Sequence, residues 1–283
     1  MLAKNTTFNR GVAKWLFSTA IGICFFVSPA NGQELRTVSN TAFGPGERLV
    51  FRAYYSSALT GNVLAGDASL EIQPTLETIS NRNAMRIIGT MQTRGVFNLF
   101  FRVNNRFESY LDNAAIAPLF FMRRLEEGNH RKSQDVRFNH QNKVAVTNTA
   151  TVSIPPYVQD IISVFYFSRT LPLHNPRIGE EFAVDFFHDD SVYVTRIIFD
   201  GYERITTRLG TFNTMRFKPM VLTGNIFSQP YPMTLWISDD MNRIPVKIQT
   251  GLSVGNLVLE LSEFSGLRNP LTSKRTNQNT TKR

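Results

Sequence analysis

The stretch Glu47-Arg48-Leu49-Val50-Phe51-Arg52-Ala53-Tyr54-Tyr55 decides the fold class. Leu49, Phe51, Ala53 and Tyr55 fall on one side of an extended chain, and Arg52 and Tyr54 on the other. This is the two-residue period of a strand with one buried and one wet face. The pattern returns at Ala68, Leu70 and Ile72 against Ser69, Glu71 and Gln73, and again at Phe107, Ser109 and Leu111 against Arg106, Glu108 and Tyr110. Breaks rich in Gly, Asn or Asp interrupt it near residues 128, 140, 189, 210, 240 and 255. They delimit about a dozen strands or slightly more. Short strands joined by short turns pair antiparallel. The expected fold is therefore all-β: a curved antiparallel sheet closing into a barrel or half-barrel, with one amphipathic helix packed against it.

The helix is read from Val158, Ile161, Ile162 and Phe165, spaced i, i+3, i+4 and i+7 after Pro155-Pro156. Asp160 suits a helix N-terminus, and Arg169 suits its other end before Pro172. The pattern predicts a helix over Val158–Arg169. It would cover an opening of the sheet, cross between two parts of it, or do both.

The 283 residues carry a formal charge of +9. Lys4, Arg10 and Lys14 lie in residues 1–32, and Arg268, Lys274, Arg275, Lys282 and Arg283 lie in residues 268–283, both stretches without an acid. The body between holds 23 bases against 22 acids. A nucleic-acid partner would need the basicity in the folded part, so none is expected. Residues 1–32 read as a signal peptide: a basic start, an uncharged apolar run from Trp15 to Val27, and small residues up to Gly32. That run spans roughly 20 Å as helix, short of the ~30 Å of a bilayer core. Cleavage is expected after Gly32, or after Ala30. Cys24 follows Ile21-Gly22-Ile23, too bulky a context for a lipoprotein signal, and is the only cysteine. The processed chain would then have no disulfide and no thiol chemistry. The expected organisation is a signal peptide over 1–32, a single β-rich domain over 33–267 and a basic disordered tail over 268–283. That tail could touch a membrane surface peripherally.

Motifs for catalysis or metal binding are missing. His130, His140, His174 and His188 do not stand at ligand spacing, and neither a G-x-S-x-G elbow nor a glycine-rich phosphate loop is present. The acid pairs at 126–127, 180–181, 189–190 and 239–240 lie in strands, where neighbours diverge, or in turns. No cofactor is expected, and the protein reads as non-enzymatic. The unusual feature is 23 Phe residues, many adjacent. They would fill a sheet core or line a greasy cavity. Phe97, Phe100, Phe101, Phe165 and Trp236 are the candidate ligand-binding residues, the first three because Val96-Phe97-Asn98-Leu99-Phe100-Phe101 is too apolar for a free loop. It would pack on the sheet opening, a partner or lipid.

Several segments fit one family. They are Phe43-Gly44-Pro45-Gly46-Glu47-Arg48-Leu49, Gly66-Asp67-Ala68-Ser69-Leu70, Gln159-Asp160-Ile161-Ile162-Ser163, Gly210-Thr211-Phe212-Asn213-Thr214 with Phe217-Lys218-Pro219, and Leu235-Trp236-Ile237-Ser238-Asp239-Asp240-Met241-Asn242-Arg243-Ile244-Pro245-Val246-Lys247. The set resembles the bacterial exported family called domain of unknown function 3108, over about Phe43 to Phe264. The resemblance implies a periplasmic setting and carries over no catalytic residue. The stretch around Trp236 reads first as a hairpin required for folding, and Trp236→Ala would cost ~3–5 kcal/mol if the indole is buried. The expected function is binding of a lipid or another apolar or amphiphilic envelope ligand. The alternatives are an envelope assembly protein with a filled core, an outer-membrane β-barrel, and a hydrolase with an unrecognised site.

Overall fold

The computed structural model describes residues 34–59, 61–220, 231–252 and 255–275. The leader expected over residues 1–32, with Cys24, and residues 276–283 of the expected tail lie outside the described residues. All the strands and helices belong to the unit Leu35–Arg283.

Among the described residues fourteen strands form one antiparallel sheet. The first eight are β1 (Arg48–Ser57), β2 (Gly61–Ile79), β3 (Arg82–Thr93), β4 (Asn104–Asp112), β5 (Pro118–Glu127), β6 (His130–Asn139), β7 (Val144–Thr147) and β8 (Thr151–Ser153). The remaining six are β9 (Glu181–His188), β10 (Ser191–Thr207), β11 (Gly210–Pro219), β12 (Met233–Ser238), β13 (Pro245–Gly251) and β14 (Asn256–Ser265). Two short helices, α1 (Gly95–Phe100) and α2 (Ser163–Ser168), follow β3 and β8. Each strand pairs with its neighbours in sequence except that β8 and β9 do not pair, and β1 also pairs with β14, so the spatial order runs from β8 through β1 and β14 to β9. The connections from odd to even strands share one rim, here the hairpin rim. Those from even to odd strands share the opposite rim with the segments flanking β1 and β14.

An open sheet of this many strands must curl. It does, far enough for the β9–β10 turn to reach β5, β6 and the β7–β8 turn. Asp189 accepts from Arg123 and Lys132, while Asp190 accepts from Gln134 and Thr149. The sheet stays open, because β8 and β9 are its two edges. The open half-barrel is therefore the form adopted. The link from β8 to β9 occupies the seam: Ile154 N–H donates to Lys143 O, and Gln159 bridges to β9 through bonds with the backbones of Asp185 and Phe187.

This bridge explains why the helix is shorter than its apolar spacing predicts. Gln159 is committed to an extended pairing, and the chain turns only at Asp160. The Asp160 carboxylate accepts from the N–H groups of Ile162 and Ser163, and the Asp160 N–H donates back to Ser163 Oγ. Such reciprocal capping satisfies donors that a helix start leaves free. α2 then runs Ser163–Ser168 instead of Val158–Arg169.

The carboxyl-terminal correction is similar. Residues 268–275 are packed against the sheet. Arg268 donates to Phe43 O, the Ser273 N–H to Asp240, and Arg275 N–H to Thr211 O, while Leu267 and Leu271 pack beside Leu49 and Leu261. The strap crosses the amino-terminal segment at Gly266, which has a φ of +64° and whose Cβ, if present, would lie 2.0 Å from Gly46 O. Only glycine fits there.

The main core lies inside β3–β7. Ile87, Leu111, Phe121, Val136 and Phe138 point inward and meet Phe43 from the amino-terminal segment, with Ile162 and Tyr166 from the seam.

Candidate functional site

Among the described residues the inner face of β9–β13 is filled only at one end, where Leu173 packs on Phe199, Met215, Phe217 and Ile237. A cavity of about 500 Å³ lies between this face and α2. Strand alternation builds the walls. Phe182, Phe186 and His188 come from β9, and Tyr193, Thr195 and Ile197 from β10. Leu235 and Ile237 of β12 face them, with Phe217 of β11 and Ile248 of β13. α2 supplies Val164, Phe165 and Ser168. Ile161 and Val194, both exposed, border the opening.

At the end towards the terminal segments stands Arg169, 2% exposed. Its guanidinium is fully engaged. Nη1 and Nη2 meet the Glu47 carboxylate at 2.6 and 2.7 Å, Nη2 also donates to Ala42 O, and Nε donates to Asn242 O. Phe43, Tyr166 and Phe165 surround it, with ring centroids 5.0 to 5.7 Å away. Glu47 is itself wholly buried. A buried pair of this kind is held by geometry and extra hydrogen bonds, and its charge is not on offer to a ligand.

The turn Ser238–Arg243 builds this floor. Asp240 Oδ1 accepts from Asn242 N–H and Ser238 Oγ, Ser238 Oγ accepts from Ile244 N–H, and Arg243 adopts a φ of +50°. Asn242 thereby presents its carbonyl to Arg169 and its side-chain amide to Asn269 O and Pro270 O. Arg243 closes the end of α2 through Arg169 O and Leu171 O. The segments that carry the family resemblance thus both support the cavity, through Glu47, Asp160 and the turn after Trp236, and line it, through Ile161, Leu235 and Ile237.

The Ser168 and Thr195 hydroxyls in the wall are spent on the backbone: Ser168 Oγ donates to Val164 O and Thr195 Oγ1 to Met220 O. Burial pushes His188 below its usual range, which favours the neutral imidazole. Burial likewise pushes the Asp160 carboxyl up to about 6, against hydrogen bonds from Ser109, Ser163 and Ile162. Asp189 behaves oppositely: hydrogen bonds from Lys132 and Arg123 outweigh partial burial and hold it at about 2. Among the described residues no three His, Cys, Asp or Glu side chains converge as metal ligands. The arrangement can exclude water and enclose an apolar chain.

Of the five residues singled out in the sequence, only Phe165 lines the cavity. Trp236 sits between Leu235 and Ile237 and so points the other way. Its Nε1 donates to Glu203 at 2.8 Å, Arg216 reaches the same carboxylate, and Lys247 lies 5.0 Å above the indole. It is half-buried on the outer face. Phe97, Phe100 and Phe101 lie on and after α1, across the sheet. Phe182, Phe186, Leu235 and Ile237 were missed. Their signal was present as spacing: Phe182 and Phe186 are two periods apart, and Leu235 and Ile237 flank the tryptophan that drew attention.

The family model described as protein of unknown function DUF3108 matches residues 50–262. The chain belongs to this family. The DUF3108 match takes in α1, α2 and every wall of the cavity, but stops short of Glu47 and of the strap after Ser265. A beta-barrel-like protein of domain of unknown function DUF1849 from Brucella abortus is similar in structure, with a TM-score of 0.51 at 9% identity over 82% of this chain and 99% of that one. This is a likeness of fold alone. A candidate lipoprotein from Parabacteroides distasonis (13% identity, 82% of this chain, 100% of that chain) and a candidate exported protein with YmcC-like fold from Bacteroides fragilis (10%, 81% and 99%) overlap at TM-scores of 0.33 and 0.30, too low to be informative. No curated protein matches the chain.

Proposed function

We propose that this protein is exported to the periplasm and holds one apolar or amphiphilic envelope molecule in the cavity of β9–β13. The observation that carries the reading is the cavity itself, about 500 Å³ walled by Phe, Leu, Ile, Val and Met. Unfilled apolar walls forfeit dispersion contacts, so a cavity of this size is worth keeping for an occupant. The occupant enters tail-first, because Glu47 already neutralises Arg169 at the far end and leaves nothing there for a charged headgroup. Export rests on the three zones of residues 1–32. A transmembrane barrel is the weaker reading, since β8 and β9 do not pair, and the β9 edge beyond its short bridge to Gln159 would leave backbone groups unsatisfied in hydrocarbon.

Native mass spectrometry of protein purified from the periplasm is the test. Wild type is expected to carry a lipid-sized adduct, and Leu235→Trp, which fills the cavity, is expected to lose it without a fall in melting temperature. Wild-type protein that carries no adduct and binds no added fatty acid overturns the proposal.

A further inference from the structure

α1 is amphipathic the wrong way round. Val96, Leu99 and Phe100 stand at i, i+3 and i+4 and share one face of the helix, and that face points to solvent: Leu99 is 83% and Phe100 84% exposed. The face that meets the protein carries Phe97, whose ring lies 5.9 Å from that of Tyr55. None of the six helix residues is buried. Phe101, over half exposed, rests on the β5–β6 turn at Gly128.

The helix has neighbours of the same character. Leu59 at the β1–β2 turn is 96% exposed, and Leu64, Met91 and Leu252 are also exposed. All lie towards the hairpin rim, the rim at which the cavity reaches His188, Met220 and Met233. Residues 95–101 and 57–66 contain no charge, while Arg94 and Arg102 bracket α1 and both are exposed.

We infer that the hairpin rim docks on a lipid bilayer, with α1 lying in the interface and Leu59 beside it. An interfacial helix sinks an apolar face into the boundary of headgroups and acyl chains and keeps cations at headgroup level. Val96, Leu99 and Phe100 supply the apolar face, and the exposed Arg102 supplies the cation, with Arg94 beside its partner Asp67. Side chains protruding from separate turns suit a fluid layer, which closes around each, better than a protein surface, which would need a matching socket for every one. Docking of this kind uses the rim alone and does not depend on what the cavity holds.

Flotation with vesicles of phosphatidylethanolamine and phosphatidylglycerol tests it, using protein purified from the periplasm. Wild type is expected to float. Leu99→Ser/Phe100→Ser, altered only at exposed positions, is expected to bind at least tenfold more weakly. Phe100→Trp is expected to shift its emission to the blue on vesicle addition and to be quenched by brominated lipid. Equal flotation of the double variant, or unchanged Phe100→Trp emission, overturns the inference. So does a concentration-dependent dimer, seen by sedimentation, that the double variant abolishes, because the patch would then cover a second copy. Leu235→Trp separates the two proposals: it is expected to lose the cavity adduct and still float.

Discussion

Between β3 and β7 the curled sheet closes on side chains delivered from elsewhere in the chain. Phe43 comes from the amino-terminal segment and Tyr166 from α2, and their rings meet edge to face 4.9 Å apart. Between β9 and β13 the strands alternate in the same way, yet among the described residues only Leu171 and Leu173 reach in, at one end, and the rest of the space stays open. α2 divides the two regions: Ile162 and Tyr166 face the filled side, and Val164 and Phe165 face the hollow one. Strand sequence therefore does not decide whether this sheet is solid or empty. The connecting segments decide it, by which side they fill.

The comparison can be broken hardest at the joint. Glu47→Ala strands the Arg169 guanidinium among carbonyls and rings, and is expected to cost about 3–5 kcal/mol in urea unfolding. A loss below about 1 kcal/mol would mean that the pair does not hold the two regions together. Next come matched truncations. Phe43→Ala is expected to cost about 3–5 kcal/mol because it opens a void in packed surroundings. Phe182→Ala, which only widens an existing cavity, should cost about 1 kcal/mol. Equal losses would erase the distinction between solid and hollow.

Asp160 gives the same contrast a pH dependence. Its folded value of about 6 lies above the ordinary 3.8, so the folded chain binds this proton more tightly than the unfolded chain does. The stabilisation is complete below the ordinary value and lost as pH rises through about 6, an effect on the order of 3 kcal/mol. Unfolding midpoints between pH 4 and pH 7 should therefore fall in wild type and stay flatter in Asp160→Asn. Parallel profiles would show that the carboxyl is not desolvated. The smallest effect is expected at Trp236. On the outer face, Trp236→Ala loses the Glu203 bond and the Lys247 contact, about 1–2 kcal/mol by thermal melting. Cavity binding should be unchanged.

The two-residue period made the strands legible, because alternation is a local property of a chain with one wet face. Whether the ring closes was not legible, since that depends on what β8 and β9 meet across the seam. α2 lost its first turn to the pairing of Gln159 with β9, a tertiary bond that the i, i+3, i+4 spacing cannot report. The polar composition of 268–275 hid a strap whose partners, Phe43, Asp240 and Thr211, are distant in sequence. Trp236 drew attention by size, yet alternation already placed it opposite its neighbours. The cavity is the hardest feature to foresee, because hollow and packed strands carry the same kinds of side chain.

The pairing of β1 with β14, Val50 opposite Glu263, has a consequence for how the molecule comes into being. A leading strand made first must wait for the trailing one before its second edge is covered, and the search across so much intervening chain is slow. Throughout synthesis it presents a ready template for aggregation. A cell that makes this chain has to shield it until the last strand arrives.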